Sequence, residues 1–128
     1  MINQINVGII GTGWCGGIRA NACADNPLVD KLYIAESNKE RLQELKKSLK
    51  LESSTDNWNE LIDNKNIDTI IISATPETTH FPMALAALKA GKNVFLEKPI
   101  ATTLKEAEEL IDISIKNNAK FTIGYSQR

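Results

Sequence analysis

Cysteine is scarce in this 128-residue sequence, which holds only Cys15 and Cys23, and histidine is scarcer, with His80 alone. Two thiols cannot build a disulfide framework or a four-ligand zinc centre, and one imidazole excludes any multi-histidine metal site. A reduced, cytoplasmic compartment is the simplest expectation. Neither sign of charge is in excess: 15 Lys and Arg face 16 Asp and Glu, for a formal net charge of −1. So even a balance gives no field to steer nucleic acid or an anionic membrane. No apolar run approaches the ~18 unbroken residues that a membrane span needs. The opening Met1-Ile2-Asn3-Gln4-Ile5-Asn6 has neither the positive n-region nor the apolar h-region of a secretory signal. Low-complexity tracts, internal repeats and Pro/Ser linkers are also missing, so a single domain spanning residues 1–128 is expected.

What is present is ordinary globular material, 42% hydrophobic and 24% charged. A chain of this length buries roughly two-thirds of its unfolded surface, enough for one core. Its organisation is a repeated change of period. Short continuous apolar runs (Val7–Ile10, Leu32–Ala35, Thr69–Ser73, Asn93–Leu96 and Phe121–Ile123) alternate with longer amphipathic stretches. Continuous runs mark strands covered on both faces, as in a parallel sheet with βαβ crossovers. A weaker edge strand is expected at Leu51–Ser54.

The helical stretches carry their own punctuation. Leu42, Leu45 and Leu49 share a face of a helix opening near Ser37, with Glu40 three residues on as a capping-box partner. Thr103 and Glu106 repeat that pattern ahead of Leu104, Ala107, Leu110, Ile111, Ser114 and Ile115. Met83, Leu85, Ala86 and Leu88 belong to a helix stopped by Gly91. The first helix runs from about Gly13 to Asp25 ahead of Pro27, and a short one covers Trp58 to Asp63. The fold class expected is α/β, a doubly wound parallel sheet of about six strands in three αβα layers, with order 3-2-1-4-5-6.

Four of the seven glycines fall between Gly11 and Gly17. Gly11-Thr12-Gly13-Trp14-Cys15-Gly16 matches G-x-G-x-x-G after a buried strand and at the opening of a helix. Gly11 permits the tight turn, Gly13 admits a pyrophosphate against the backbone, and Gly16 lets the helix pack on the strand. Such spacing also serves a plain packing turn. Glu36 strengthens the nucleotide reading. It ends the second strand twenty residues past Gly16, where a carboxylate accepts hydrogen bonds from ribose hydroxyls; the plainer alternative is a solvated glutamate capping the next helix. A 2′-phosphate about 4 Å from that carboxylate would be repelled by something near 4 kcal/mol at an effective dielectric of 20. NAD is therefore expected over NADP, although Ser37, Lys39 and Arg41 would receive a phosphate if Glu36 turned away. Cys15 reads as a small turn residue offering its amide. Trp14 either borders the cofactor or packs, and Cys23 and Trp58 read as packing residues.

In the second half, Ser73-Ala74-Thr75-Pro76 closes the fourth strand at the crevice where open α/β sheets bind ligands. His80 follows at a helix start, and Gly91-Lys92-Asn93-Val94-Phe95-Leu96 leads into Glu97-Lys98-Pro99. With the glycine turn, these segments resemble the Gfo/Idh/MocA oxidoreductases, over essentially the whole chain. Glu77 departs from the asparagine that many members carry there.

The resemblance implies a hydride exchange between a nicotinamide cofactor and a sugar-like or cyclitol alcohol or ketone. It implies Lys98 as the catalytic lysine, reaching the nicotinamide ribose and the reacting oxygen. It also implies Glu97 beside that ribose, His80 near the nicotinamide half, and Ala74, Thr75 and Pro76 along the cofactor's path. A cation beside a carbonyl stabilises the alkoxide formed as hydride arrives. In such proteins the acid/base partner and most substrate contacts come from a second α/β domain, which this chain, ending at Arg128, is expected to lack. Alone, the domain should hold nucleotide without the closed, dry pocket that hydride transfer requires. A monomer is expected for it and a homo-oligomer for the longer protein. The competing reading is a dinucleotide sensor with no chemistry. A methyltransferase or coenzyme A domain suits Gly16 and Glu36 less well.

Overall fold

Ile70, Ile71 and Ile72 show how the molecule is layered. Ile70 and Ile72 are fully buried in one apolar cluster, and Ile71 packs against a second on the other face of the same strand. In the computed structural model, which describes residues 3–124, the strands are β1 (Ile5–Ile10), β2 (Val29–Ala35), β3 (Ser53–Thr55), β4 (Thr69–Ile72), β5 (Asn93–Glu97) and β6 (Phe121–Gly124). The helices are α1 (Trp14–Asp25), α2 (Lys39–Ser48), α3 (Asn59–Asp63), α4 (His80–Lys89) and α5 (Leu104–Lys116), with a 3-10 turn at Glu77–Thr79 before α4. The sheet order is β3-β2-β1-β4-β5-β6 and the pairings are parallel. This is the Rossmann-type doubly wound sheet expected from the period changes.

Helices α1 and α2 cover one face, where Ala20, Leu42 and Leu45 meet Val7, Ile9, Leu32 and Ile34. Helices α3, α4 and α5 cover the other, where Leu61, Leu88 and Leu110 meet Ile10, Ile70, Val94 and Leu96. Burying one such leucine contributes about 1.5–3 kcal/mol, so the strands' two apolar rows hold both layers at once. The crossovers leave β1 and β4, which are neighbours, toward opposite faces. Their carboxyl ends therefore bound an open crevice.

Several element ends differ from expectation. Helix α2 is capped by Asn38, whose side chain accepts the Arg41 N–H at 3.0 Å, and not by Ser37. The reason is Glu36, which takes the Asn38 N–H at 2.9 Å and closes a turn that carries Asn38 to the cap. At α5 the Thr103 side chain accepts the Glu106 N–H at 3.1 Å as expected, but the Glu106 carboxylate is met by the Thr102 hydroxyl. Strand β3 begins at Ser53, because Leu51 packs into the α1–α2 layer before pairing starts. Gly91 does take a left-handed φ of +80° just past α4. On α5 only Leu110 and Ser114 are buried, while Ile111 and Ile115 are exposed. Each lies one residue, about 100° of helix, beyond a buried neighbour. The segment Tyr125-Ser126-Gln127-Arg128, whose sequence resembles the end of such a nucleotide domain, lies outside the described residues.

Candidate functional site

The crevice at the carboxyl ends of β1, β2, β4 and β5 has a volume of about 860 Å³, within the range of small-molecule and cofactor sites. Its floor is the glycine turn. Gly11 has φ +86°, and a β-carbon there would stand 2.6 Å from the Ala74 Cα, so both the turn and the close approach of β4 need glycine. A β-carbon on Gly16 would overlap the Gly11 carbonyl oxygen; the bare α-carbon is what lets α1 seat on the end of β1. At Gly13 an added β-carbon meets nothing within 4 Å and would project into open space. Helix α1 has Gly13 at its N-cap, no side-chain cap and no acid in its first turn. Its leading amides and positive end are therefore left for an anion.

Glu36 faces this turn. Its Oε1 accepts the Thr12 N–H at 2.8 Å together with the Thr12 hydroxyl, and its Oε2 accepts the Asn38 N–H at 2.9 Å. Burial alone would raise its pKa. The Thr12 hydroxyl, the Asn38 and Thr12 amides and the Arg41 guanidinium outweigh that and hold it below the ordinary carboxylate value. A carboxylate offers about four acceptor positions. Three are filled from within the protein, so one, not two, is left for a ribose hydroxyl in this arrangement.

Thr12 is fully buried, and its hydroxyl and amide both serve Glu36. Within the glycine turn it therefore supports the acid, while still lining the crevice. Arg41 was expected to matter only if Glu36 turned away. Its Nε instead donates to the Thr12 carbonyl at 3.0 Å, bracing the turn from α2.

Of the other expected residues, Trp14, Cys15, Ser37, Ala74, Thr75, His80, Glu97 and Lys98 line the crevice. Gly16 lies beneath it as a packing residue, and Pro76 is not among the lining residues. Trp14 is 85% exposed, so its packing alternative is set aside. Cys23 packs beside the α1–α2 cluster, where burial pushes its thiol pKa up. Trp58 packs on the other cluster and also borders the crevice.

At the far wall, Lys98 leaves β5 exposed, with its backbone N–H donating to Gly124 at 3.1 Å. No hydrogen bond or ion pair engages its ammonium among the described residues. Glu97 Oε1 lies 2.6 Å from Arg19 Nη1, close enough for a charge pair but off the hydrogen-bond direction, and the Arg19 guanidinium sits 4.9 Å over the Phe95 ring. Arg19 had no sequence signal. His80 is 2% exposed, and both ring nitrogens face backbone carbonyls. It lines the crevice as expected of a residue near the cofactor, with its ring nitrogens turned to those carbonyls. The Ser73 hydroxyl is buried at the wall without a hydrogen-bond partner among the described residues. Those residues include no cluster of three metal-ligating side chains and no helix long and apolar enough to cross a membrane.

The parts fit a dinucleotide: open space at Gly13, an uncapped helix end for a diphosphate, an ionised acid for a ribose and the Lys98 ammonium beyond. A doubly wound α/β domain with this crevice is, by class, a dinucleotide-binding domain. The model of the Gfo/Idh/MocA oxidoreductase family, NAD-binding Rossmann fold, matches residues 5–125, and the chain belongs to that family as its NAD-binding domain. It is 33% identical to levoglucosan dehydrogenase of Pseudarthrobacter phenanthrenivorans over 99% of this chain and 34% of that protein. Against myo-inositol 2-dehydrogenase of Thermotoga maritima it is 30% identical over 97% of this chain and 37% of the relative. The crystal structure of scyllo-inositol dehydrogenase from Lactobacillus casei, with NAD(H) and scyllo-inositol bound, superposes with a TM-score of 0.87 at 28% identity, covering 95% of this chain and 36% of that one. The chain thus spans about a third of the length of these relatives.

Proposed function

We propose that these residues form the cofactor half of a dehydrogenase or reductase that moves a hydride between NAD(H) and a CH–OH or carbonyl carbon of a sugar-like or cyclitol substrate. The observation that carries the reading is convergence. The bare start of α1, the ionised Glu36 and the Lys98 ammonium, which has no partner among the described residues, come from three separate crossovers and face one crevice. Bound there, the nicotinamide supplies the two-electron chemistry. The chain's own residues bind and orient. The amides following Gly13 hold the diphosphate, with Trp14, Cys15 and Ser37 on the α1 and β2 side of the crevice and Ala74 and Thr75 on the side toward Lys98. Glu36 holds the adenosine ribose, and Glu97 stands near the second ribose.

Lys98 has the catalytic role. Its ammonium stabilises negative charge developing on a substrate oxygen in one direction and favours loss of the hydroxyl proton in the other. The acid/base partner and the substrate contacts lie outside these 128 residues, so the isolated domain binds cofactor without turnover.

Thermal melting tests the binding. A ligand at 100 times its dissociation constant adds about 2.7 kcal/mol, and the entropy of unfolding of a domain this size, about 0.27 kcal/mol/K, converts that to about 10 °C. NAD should produce this shift and S-adenosylmethionine none; no shift with either NAD or NADP ends the proposal. In a polypeptide that joins this domain to the rest of such a relative, Lys98→Ala should abolish turnover while retaining NADH binding. Unchanged turnover would remove the catalytic role from Lys98, and cofactor binding with no turnover even in the unaltered protein would favour a dinucleotide sensor.

A further inference from the structure

His80 is the sole histidine of the chain and opens α4 from a buried position at the crevice wall. Its Nδ1 is 2.8 Å from the Pro99 carbonyl oxygen and its Nε2 is 3.0 Å from the Ala74 carbonyl oxygen. Carbonyl oxygens accept and never donate, so both contacts are hydrogen bonds only when both ring nitrogens carry protons. The two acceptors belong to different chain segments. Ala74 precedes Thr75 in the loop after β4, and Pro99 follows Lys98 in the turn after β5. Among the described residues Lys98 is otherwise anchored by one backbone bond, to Gly124. Glu77, Glu97 and Lys98 are the ionisable groups on this end of the crevice. The remaining side chains of the two loops, at residues 73–76 and 99–103, carry no charge.

We propose that His80 is a positioning residue, a two-donor strap that sets the spacing between the loop of Ala74 and Thr75 and the turn that presents Lys98. It acts through these carbonyls and not by touching the cofactor. The inference rests on the reading of Lys98 above for its functional consequence, but the strap itself is a property of this chain alone. A buried hydrogen bond lost on one side leaves a carbonyl unpaired as well as a loop untethered. The consequence is local to the nicotinamide end, because the diphosphate and adenosine parts of the crevice are built on α1 and β2.

The test uses the 128-residue chain, with NADH as the full-length probe and ADP as the probe that stops at the diphosphate. In the unaltered chain the single imidazole should show two ring N–H proton signals at pH 6, both protected from solvent exchange. His80→Phe should weaken NADH about tenfold while leaving ADP within about twofold. His80→Gln, which keeps an amide donor, should recover part of the loss. Equal weakening of NADH and ADP, or one protected ring signal in place of two, would overturn the strap. If His80→Phe fails to fold, the glutamine variant and the ring signals decide. If the unaltered chain binds neither NADH nor ADP, the cofactor reading fails, and two protected signals would still support the strap while one would overturn it.

Discussion

Gly13 and Gly16 are three residues apart in one turn, yet the structure assigns them opposite consequences on gaining a methyl group. In Gly16→Ala the new β-carbon overlaps the Gly11 carbonyl oxygen and stands 2.8 Å from the Gly11 carbonyl carbon and 3.2 Å from the Ser73 Cβ. Most of what it meets is backbone, which cannot rotate away. Helix α1 must lift from β1 by about 1 Å or more to restore normal separations, loosening the contacts of Ala20 with Val7 and Ile9. Overpacking of this kind costs about 1–3 kcal/mol. With an unfolding entropy of about 0.27 kcal/mol/K, the melting temperature should fall by about 4–11 °C.

In Gly13→Ala the added carbon has nothing within 4 Å. Melting should be unchanged within about 2 °C, since substitutions that touch nothing stay within ±0.5 kcal/mol. The methyl group does, however, occupy the space into which a diphosphate must come. Loss of one charge-assisted hydrogen bond, at about 1.5–3 kcal/mol, weakens NADH by at least about tenfold. Differential scanning calorimetry paired with titration calorimetry reads both effects. If Gly13→Ala binds NADH as tightly as the unaltered chain, the diphosphate does not lie at this turn. If Gly16→Ala melts unchanged, the packing account of α1 on β1 is wrong.

Other outcomes follow from individual contacts. Glu36 has a lowered pKa in the folded chain, so its ionised form stabilises the fold above its unfolded value, near 4.3, and that contribution is lost as pH falls through the folded value. Glu36→Gln should therefore flatten the acid limb of a stability–pH curve; it should also narrow the gap between NAD and NADP in titrations, because the repulsion of a 2′-phosphate goes with the charge. Lys92 is buried and donates to the Asn64 and Ile67 carbonyls at 2.9 Å each, with burial lowering its pKa despite Asp68 and Asp63. Lys92→Met strands both carbonyls and should cost about 1–3 kcal/mol in urea unfolding, with no change in NADH affinity because the residue precedes β5, at the amino ends of the strands and away from the crevice at their carboxyl ends. Iodoacetamide should label Cys15 before Cys23, whose burial raises its thiol pKa, and NADH should slow the Cys15 reaction; mass spectrometry of the labelled peptides checks both.

The layer plan was legible because it is written in local period. Ile70 to Ile72 and Val7 to Ile10 have no polar row, so water must be absent from both faces wherever the chain places them. The spacing of Gly11, Gly13 and Gly16 and the position of Glu36 were legible for a similar reason, since a turn, its helix and the next strand end come in a short stretch. Trp14 was left open between packing and the crevice, and Arg41 was read only as a spare phosphate partner. The cap of α2 was misplaced by one residue, because the carboxylate that shifts it answers to Thr12, 24 residues away.

What the sequence determined by itself, then, was the alternation of elements, their sheet order and the end of the sheet at which a nucleotide is held. Each depends on backbone geometry and burial that neighbouring residues share. Only the tertiary structure decided which side chain answers which: Arg41 to the Thr12 carbonyl, Arg19 to Glu97, and His80 to Ala74 and Pro99. Those pairings join separate crossovers. A polar side chain buried by folding takes whichever partner packing brings within about 3 Å, and chain order carries no record of that choice.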